Sequence, residues 1–267
     1  MRRLFSVGCS FTRYHWPTYV DIIGKEFNEF QNWGNSGLGN RAILERLTEL
    51  VVENDITKDD VIIVQWSAIH RFDMHIPHRF PLDGWFTGGN LLNNPTFNEE
   101  WKNFYWNESS YVMHTLHFIT LATKLLESLP CTWYMTSMND LLDELDDNRF
   151  IAFDRYREYL NTENWLPPLQ EYFQKNNFEQ KILNKPIRDH LGQIIDYKKY
   201  KDPHPSPLVH YFYAKEFLAD RLNITLDYNW AKTADYLISN ASVHEDIRPL
   251  LIEHLKWDNN ANWMRGL

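Results

Sequence analysis

The segment Asp60–Trp66 constrains the fold of this chain more than any other feature of its sequence. It contains four consecutive aliphatic residues, Val61–Val64, with no polar residue among them. A run of this kind is typical of a strand that is covered on both faces, as the strands of a parallel sheet are. Shorter strand patterns at residues 4–8, 28–32 and 132–135 are each followed by a helical pattern. This alternation predicts an α/β fold, with a parallel sheet between two layers of helices.

The 267 residues divide on these patterns into one principal domain and an extension. We expect the α/β domain over residues 1–225, with a loop-rich insertion at about 72–108, where Pro, Gly and Asn lie among aromatic residues. Residues 148–200 predict helical pieces and no clear strand, and another helix is expected from about Asn139. Residues 226–267 predict a helical C-terminal extension, which either packs on the core or binds a protein partner.

Charge and composition argue against several functional classes. The formal net charge is −9 and no basic block is present, which disfavours nucleic-acid binding because phosphate recognition needs clustered Lys and Arg. Two cysteines, Cys9 and Cys131, are too few for a disulfide framework and fit a reducing compartment. There is no signal-peptide pattern and no apolar run approaching roughly 18 residues. The expectation is a soluble, cytoplasmic protein without a membrane partner.

Polar residues that could carry chemistry follow the predicted strands. Open parallel sheets place their sites at the carboxyl ends of the strands, and Ser10, the loop at 34–40 and Ser67 each follow one. A serine hydroxyl is a weak nucleophile near neutral pH and needs a base and a group that orients the base. His204 and Asp202 supply these types, and the adjacent prolines favour extended backbone, in which residues two apart can project to the same side. The pattern predicts acyl transfer with Ser10 as nucleophile.

Three short blocks resemble the SGNH hydrolase family, also called GDSL esterases and lipases. The Gly-Cys-Ser sequence at 8–10 looks like the family's Gly-Asp-Ser block, with Cys9 in place of Asp. Residues 32–37 are similar to the second block, Asn-x-x-x-Ser-Gly, and residues 202–206 are similar to the final block around the catalytic histidine. The resemblance implies a flavodoxin-like three-layer α/β/α fold, a Ser10–His204–Asp202 triad, and an oxyanion hole formed by the amides of Ser10 and Gly37.

The third block departs from the family pattern. Where the family has Gly-x-Asn-Asp, this chain has Gln-Trp-Ser-Ala-Ile-His-Arg at 65–71, so the side-chain oxyanion donor normally supplied by Asn is absent. Loss of one such donor can lower the rate by roughly 10²–10³-fold. Either Ser67, His70 or Arg71 replaces it, or the oxyanion hole is weaker and the enzyme less active. Trp66, His70, Arg71 and Trp85 are also candidates for binding substrate.

Other interpretations of these residues stay open at this point. Cys9 is an alternative nucleophile, although a free Cys is more often a small buried apolar residue. The histidines at 70, 75 and 78 with Asp73 suggest a metal cluster, but they lie in a loop-like segment, so we expect neither a metal nor another cofactor. The aromatic segment 85–106 is either a wall on which sugars stack or packing for the insertion.

Together these features predict a serine esterase or deacetylase that acts through an acyl-serine intermediate, with an O-acylated carbohydrate as substrate. A carbohydrate O-acyltransferase is the second enzymatic hypothesis, since it differs only in whether a sugar hydroxyl or water accepts the acyl group. The third is a non-catalytic glycan-binding or virion-associated assembly protein on the same fold. The Gly-Cys-Ser-Phe-Thr sequence resembles family members carried by bacteriophages and marine microbes, and fold alone does not decide function.

Overall fold

The computed structural model describes residues 1–75, 85–95, 97–141, 156, 163–176, 178, 180–188, 193–241 and 244–257. Its centre is a parallel sheet of four strands in the order β2-β1-β3-β6. The strands are β1 (Arg3–Val7), β2 (Glu29–Asn32), β3 (Val61–Trp66) and β6 (Thr132–Ser137). Beyond β6, Met135 forms a parallel bridge with Trp165, which extends the same edge by a short segment. The predicted parallel sheet is therefore confirmed.

Helices cover both faces of this sheet. They are α1 (Tyr19–Gly24), α2 (Asn40–Glu53), α3 (Glu99–Tyr105), α4 (Glu108–Glu127), α5 (Leu169–Lys175), α6 (Pro207–Ala214), α7 (Asp220–Leu222), α8 (Tyr228–Asn240) and α9 (Ile247–Leu255). A π-helical turn, Lys215–Ala219, joins α6 to α7. A short 3-10 helix, His244–Asp246, precedes α9.

Alternate residues of β3 belong to different cores, which makes the fold three-layered. Val61 and Ile63 pack with α1, α5, α6, α8 and α9, whereas Ile62 and Val64 pack with α2 and α4. Every residue of β3 is buried, as the aliphatic run predicted. The expected α/β/α class is confirmed, and the carboxyl ends of β1 and β3 lie side by side at one rim.

The insertion at 72–108 contains regular structure rather than loops alone. Strands β4 (Arg71–His75) and β5 (Trp85–Asn90) pair antiparallel, and α3 follows them. Residues 76–84 lie outside the described part. A two-stranded ribbon of this kind is held by backbone pairing and carries a weak pattern of alternating polarity, which is why turn-forming residues dominated the prediction.

A second antiparallel hairpin, β7 (Ile182–Arg188) with β8 (Ile194–Lys201), corrects the expectation of no clear strand between 148 and 200. Every residue of β8 except Tyr200 is exposed, so the strand lacks the apolar face that sequence patterns detect. Most of the helix expected from Asn139 lies outside the described residues. Within the described residues, no helix combines the length and the apolar character needed to cross a membrane.

The segment after residue 225 packs on the domain through an apolar face. Trp230, Ile238, Ile247, Leu251 and Trp257 are all buried in the core that includes α1 and α6. The sequence left open whether this extension packs on the core or binds a protein partner, and its described residues pack on the core. Residues 258–267 lie outside the described part.

Candidate active site

Ser10 lies in a tight turn directly after β1. The amides of Thr12 and Arg13 both donate to the carbonyl of Cys9, at 3.0 and 3.1 Å. A Cβ atom at position 8 would lie 2.2 Å from Thr12 Oγ1 and 2.8 Å from Gln65 Cβ. Only glycine therefore fits at position 8, because any side chain would push the turn away from β3.

Gln65, near the end of β3, holds this turn from below. Its Oε1 atom accepts hydrogen bonds from the Cys9 amide, Cys9 Sγ and Thr12 Oγ1, each at 3.1 Å. Its Nε2 atom donates to the carbonyl of Trp66. Sequence reasoning assigned no role to Gln65, although a polar amide at the end of an apolar buried run was the available signal. Cys9 is fully buried in this contact, so its thiol supports the turn from the inside.

The loop after β2 is tied to the same turn. Asn32 Nδ2 donates to the Thr12 carbonyl at 2.9 Å, and Asn32 Oδ1 accepts from the Gly34 amide at 3.0 Å. Ser36 Oγ donates to the Arg13 carbonyl at 3.2 Å. Gly37 has φ +86°, a left-handed conformation that favours glycine. In the described part of the chain, the backbone N–H groups of Ser10 and Gly37 donate no hydrogen bond, so both are available to a ligand.

His204 is brought to Ser10 from a segment 194 residues away. Its Nε2 atom lies 2.9 Å from Ser10 Oγ, and its Nδ1 atom lies 2.8 Å from Asp202 Oδ1. The ring stacks on Tyr14, with centroids 3.8 Å apart, and meets the ring of Phe11 at an angle of 75°. The imidazole is thus fixed in its plane by hydrogen bonds at both nitrogens and by aromatic packing.

Asp202 is buried and accepts four hydrogen bonds. Oδ1 accepts from the His204 ring at 2.8 Å and from the His204 amide at 2.9 Å. Oδ2 accepts from the hydroxyls of Tyr14 at 2.7 Å and Tyr200 at 2.9 Å. Burial raises the pKa of Asp202, but the bonds from His204 and Tyr14 outweigh it and lower that pKa to about 2. Sequence reasoning found neither tyrosine, because each becomes a partner of Asp202 only through the tertiary fold.

The proline-rich segment that carries the base is anchored at both ends. The Asp202 amide donates to the Lys181 carbonyl at 2.8 Å, and Trp16 Nε1 donates to the Pro205 carbonyl at 2.7 Å. Ser206 is the N-cap residue of α6 and Pro207 its first residue. These contacts place His204 against the Ser10 turn.

Ser10 and His204 open into a cleft of about 300 Å³, which Phe11, Arg71, Met138 and Phe173 also line. The Nη2 atom of Arg71 lies 3.5 Å from Met138 Sδ, and its Nε is buried with no hydrogen-bond partner among the described residues. Arg71 therefore contributes a cationic side chain to the lining of the cleft that contains Ser10.

The other predicted site residues lie elsewhere. Ser67 is fully buried, its amide is bound to Asn40 Oδ1 at 2.8 Å, and it does not line the cleft. Trp66 is a fully buried core residue whose indole N–H faces Met135 Sδ at 3.4 Å, so it cannot contact a substrate. His70 is half-buried outside the cleft lining, and burial lowers its pKa. The side chain of Trp85 lies outside the described part. Across the described residues, no group of three or more His, Cys, Asp or Glu side chains is arranged to hold a metal.

Of the comparisons with known proteins, the one with solved structures gives matches and the other two give none. No family model matches the sequence, and no curated protein matches it. Among solved structures, the fold is similar to a member of the lipolytic protein G-D-S-L family from Veillonella parvula, with a TM-score of 0.43 and 13% sequence identity. The alignment covers 81% of this chain and 97% of that one. The geometry of Ser10, His204 and Asp202 therefore has to carry the functional conclusion by itself.

Proposed function

We propose that this chain is an SGNH-type serine esterase or deacetylase that cleaves an O-acyl ester through an acyl-Ser10 intermediate. The observation that carries the proposal is the continuous hydrogen-bonded series from Ser10 Oγ to His204 Nε2, at 2.9 Å, and from His204 Nδ1 to Asp202 Oδ1, at 2.8 Å. A nucleophile, a base and an orienting carboxylate at these distances form the arrangement that activates a serine hydroxyl.

In the first half of the reaction, Ser10 Oγ attacks the ester carbonyl carbon while His204 Nε2 takes its proton. The Nδ1–H group donates to Asp202, which holds the correct tautomer and stabilises the imidazolium. His204 then returns the proton to the departing alcohol oxygen, leaving the acyl group on Ser10. Water repeats the sequence in the second half and releases the acid.

The tetrahedral intermediate needs hydrogen-bond donors for its oxyanion. We assign the backbone amides of Ser10 and Gly37 to this role, because both are unpaired in the described part of the chain. We assign the third donor, usually an Asn in the resembled family, to the guanidinium group of Arg71, which lines the cleft. Ser67 is not assigned as an oxyanion donor, because it does not line the cleft.

A carbohydrate substrate is supported by aromatic rings beside the site. Phe97, Trp101 and Tyr105 stack in succession, with centroids 4.3 and 4.5 Å apart, and Tyr105 is half exposed. Tyr105 also lines a cavity of about 260 Å³ that shares Arg71 with the Ser10 cleft. Flat apolar ring faces with little conformational entropy to lose suit the faces of sugar rings.

The proposal is tested by replacing Ser10 with Ala and measuring fluorophosphonate labelling and the hydrolysis of p-nitrophenyl acetate. Both should be lost in Ser10→Ala. Ser67→Ala is the matched control: it removes another buried serine hydroxyl, has no role in the mechanism, and should keep labelling and turnover. Equal turnover by wild type and Ser10→Ala would end the proposal.

The same assay separates the two alternatives. Transfer of the acetyl group to an added sugar, in place of water, would identify an O-acyltransferase. Absence of labelling in the wild-type protein together with glycan binding would identify a non-catalytic glycan-binding protein. Cytoplasmic location and association with a virion stay predictions from the sequence.

A further inference from the structure

A second and larger cavity, of about 600 Å³, also reaches the catalytic histidine. His204 and Pro203 line both this cavity and the Ser10 cleft. Its other walls are Tyr14, Tyr200 and the hairpin formed by β7 and β8. A group bound there would lie against the imidazole that serves Ser10. The mechanism assigns no role to this space.

The hairpin presents two lysines to this cavity from directly opposite positions. Lys185 and Lys198 are Cα partners in the antiparallel register, and both line the cavity. The preceding pair on the same face is Leu183 with Tyr200, of which Leu183 is buried and Tyr200 donates to Asp202. Side chains alternate between the faces of a strand, so this face is turned towards the site and carries both lysines.

Two like charges directly opposite each other destabilise an antiparallel pair. Just before the hairpin, Lys181 is neutralised by Asp235 at 3.1 Å, but Lys185 and Lys198 have no acidic partner within the described residues. The carboxylate of Asp202 borders the same cavity, but its four hydrogen bonds go to His204, Tyr14 and Tyr200, and within the described residues it forms no ion pair with either lysine. The lysine pair is thus available to an external anion.

The charge of the hairpin supports the same conclusion. Residues 181–201 contain six Lys or Arg and two Asp, in a chain whose formal net charge is −9. One of these acids, Asp196, is paired with Ile187 on the cavity-facing side, towards the turn, and accepts from the Tyr197 amide at 2.7 Å. Asp196 does not line the cavity. Of the six basic residues, Lys185 and Lys198 are the two that line the cavity.

We propose that this cavity is a subsite for an anionic group of the substrate, held between Lys185 and Lys198, so that the preferred substrate is an ester that also carries a carboxylate or similar anion. The inference rests on the proposed esterase function and narrows its substrate class. An anion between the lysines relieves their mutual repulsion and places the ester beside His204, whereas a neutral ester gains nothing from them.

The test compares paired esters that differ in one charge. Phenyl acetate and 4-acetoxybenzoate place the charge on the alcohol side, and p-nitrophenyl butyrate and p-nitrophenyl hemiglutarate place it on the acyl side. In the double variant Lys185→Gln/Lys198→Gln, kcat/KM for at least one anionic ester should fall roughly tenfold, as expected for the loss of two partly exposed charges. The neutral esters should stay within about twofold, because a charge effect acts only on the charged partner.

Lys199→Gln is the matched control, since it removes an exposed lysine from the same strand on the opposite face. It should leave all four rates unchanged. An equal loss for neutral and anionic esters, no loss for either, or an equal effect of Lys199→Gln would overturn the subsite.

A binding measurement keeps the subsite distinguishable from the proposed reaction. Ser10→Ala protein is titrated with 4-acetamidobenzoate, the amide analogue of the anionic ester, and with neutral acetanilide. Preferential binding of the anion that weakens in the lysine double variant and at high salt supports the subsite, even if no ester is hydrolysed. Equal binding of the anion with and without the lysines overturns it.

Discussion

The turn that carries Ser10 and the segment that carries His204 are built by opposite physical means. The Ser10 turn is held by neutral hydrogen bonds, chiefly the three that Gln65 Oε1 accepts from within the turn. The His204 segment is held by a buried negative charge on Asp202 that accepts four hydrogen bonds. In the proposed mechanism, the neutral hydrogen bonds fix the position of Ser10, whereas the charge on Asp202 also stabilises the proton that His204 takes.

Each region also contains a buried aspartate, and the two respond oppositely to their surroundings. Asp21 in α1 accepts from the Thr18 amide, and the Thr18 hydroxyl lies within hydrogen-bond distance of both Asp21 Oδ2, at 3.0 Å, and the Thr12 carbonyl in the Ser10 turn, at 2.6 Å. Burial dominates and raises the pKa of Asp21 to about 6. In Asp202 the hydrogen bonds prevail over burial and lower the pKa to about 2. The hydrogen bonds that a buried carboxylate accepts therefore decide whether its pKa rises or falls.

The largest expected effect, on kcat, comes from removing the negative charge of Asp202. Asp202→Asn removes the negative charge that stabilises the His204 imidazolium, and kcat should fall by roughly 10³–10⁴-fold. Steady-state hydrolysis of p-nitrophenyl acetate measures this loss, and circular dichroism verifies that the variant is folded. Activity within tenfold of wild type would show that Asp202 only shapes the loop.

Removing the hydrogen bonds that Gln65 accepts should lower the stability of the folded protein. Gln65→Met has a similar volume but leaves the Cys9 amide and the Thr12 hydroxyl buried without an acceptor, so the free energy of unfolding should fall by roughly 2–4 kcal/mol. Urea unfolding measures the change. Cys9→Ala removes one of the three donors and should lose on the order of 1 kcal/mol while keeping fluorophosphonate labelling at Ser10. A Gln65→Met protein as stable as wild type would contradict the conclusion that Gln65 stabilises the Ser10 turn.

The opposed pKa shifts predict opposite pH responses in the two regions. The pKa of Asp21 is raised in the folded state, so its contribution to stability is complete below about pH 4 and declines by roughly 2–3 kcal/mol as pH rises through 6. Asp202 has a lowered pKa, so its contribution is complete above about pH 4 and is lost only as pH falls towards 2.

Urea unfolding of wild type and Asp21→Asn at pH 4.5 and 7.0 isolates the Asp21 contribution, because other groups cancel between the two proteins. The difference between them should change with pH in favour of the variant at pH 7.0. Asp59→Asn, which alters an exposed aspartate, serves as the control and should show no such change. A difference that does not vary with pH would rule out a raised Asp21 pKa.

The smallest effect is expected from the phenols on Asp202. Tyr14→Phe keeps the ring that stacks on His204 and removes one donor from Oδ2, so kcat should fall by roughly three- to tenfold. Tyr200→Phe removes the other donor and should act similarly. Tyr172→Phe, whose hydroxyl binds Glu216 at 3.0 Å outside the site, is the control and should leave kcat unchanged. Unchanged kcat in both Tyr14→Phe and Tyr200→Phe would show that the two tyrosines contribute only through the packing of their rings.

Local patterns in the sequence were sufficient for the central fold. The aliphatic run in β3 predicted a strand buried on both faces, and it alternates between two cores as a parallel strand must. The Gly-Cys-Ser turn and the Asp-Pro-His-Pro segment were also identified, because glycine permits tight turns and proline restricts the backbone whatever surrounds them. The β7–β8 hairpin was missed, since its exposed strands carry no apolar period.

By itself the sequence determined the strands of the central parallel sheet and the residue types available for the proposed acyl transfer. Only the tertiary structure decided which of these residues meet. It placed Tyr14 and Tyr200 on Asp202, Gln65 beneath Ser10, and Trp66 and Ser67 in the core instead of the cleft. Strand and helix patterns depend on neighbours along the chain, whereas hydrogen-bond partners and burial depend on residues far apart in the sequence, such as Ser10 and His204, which are separated by 194 positions.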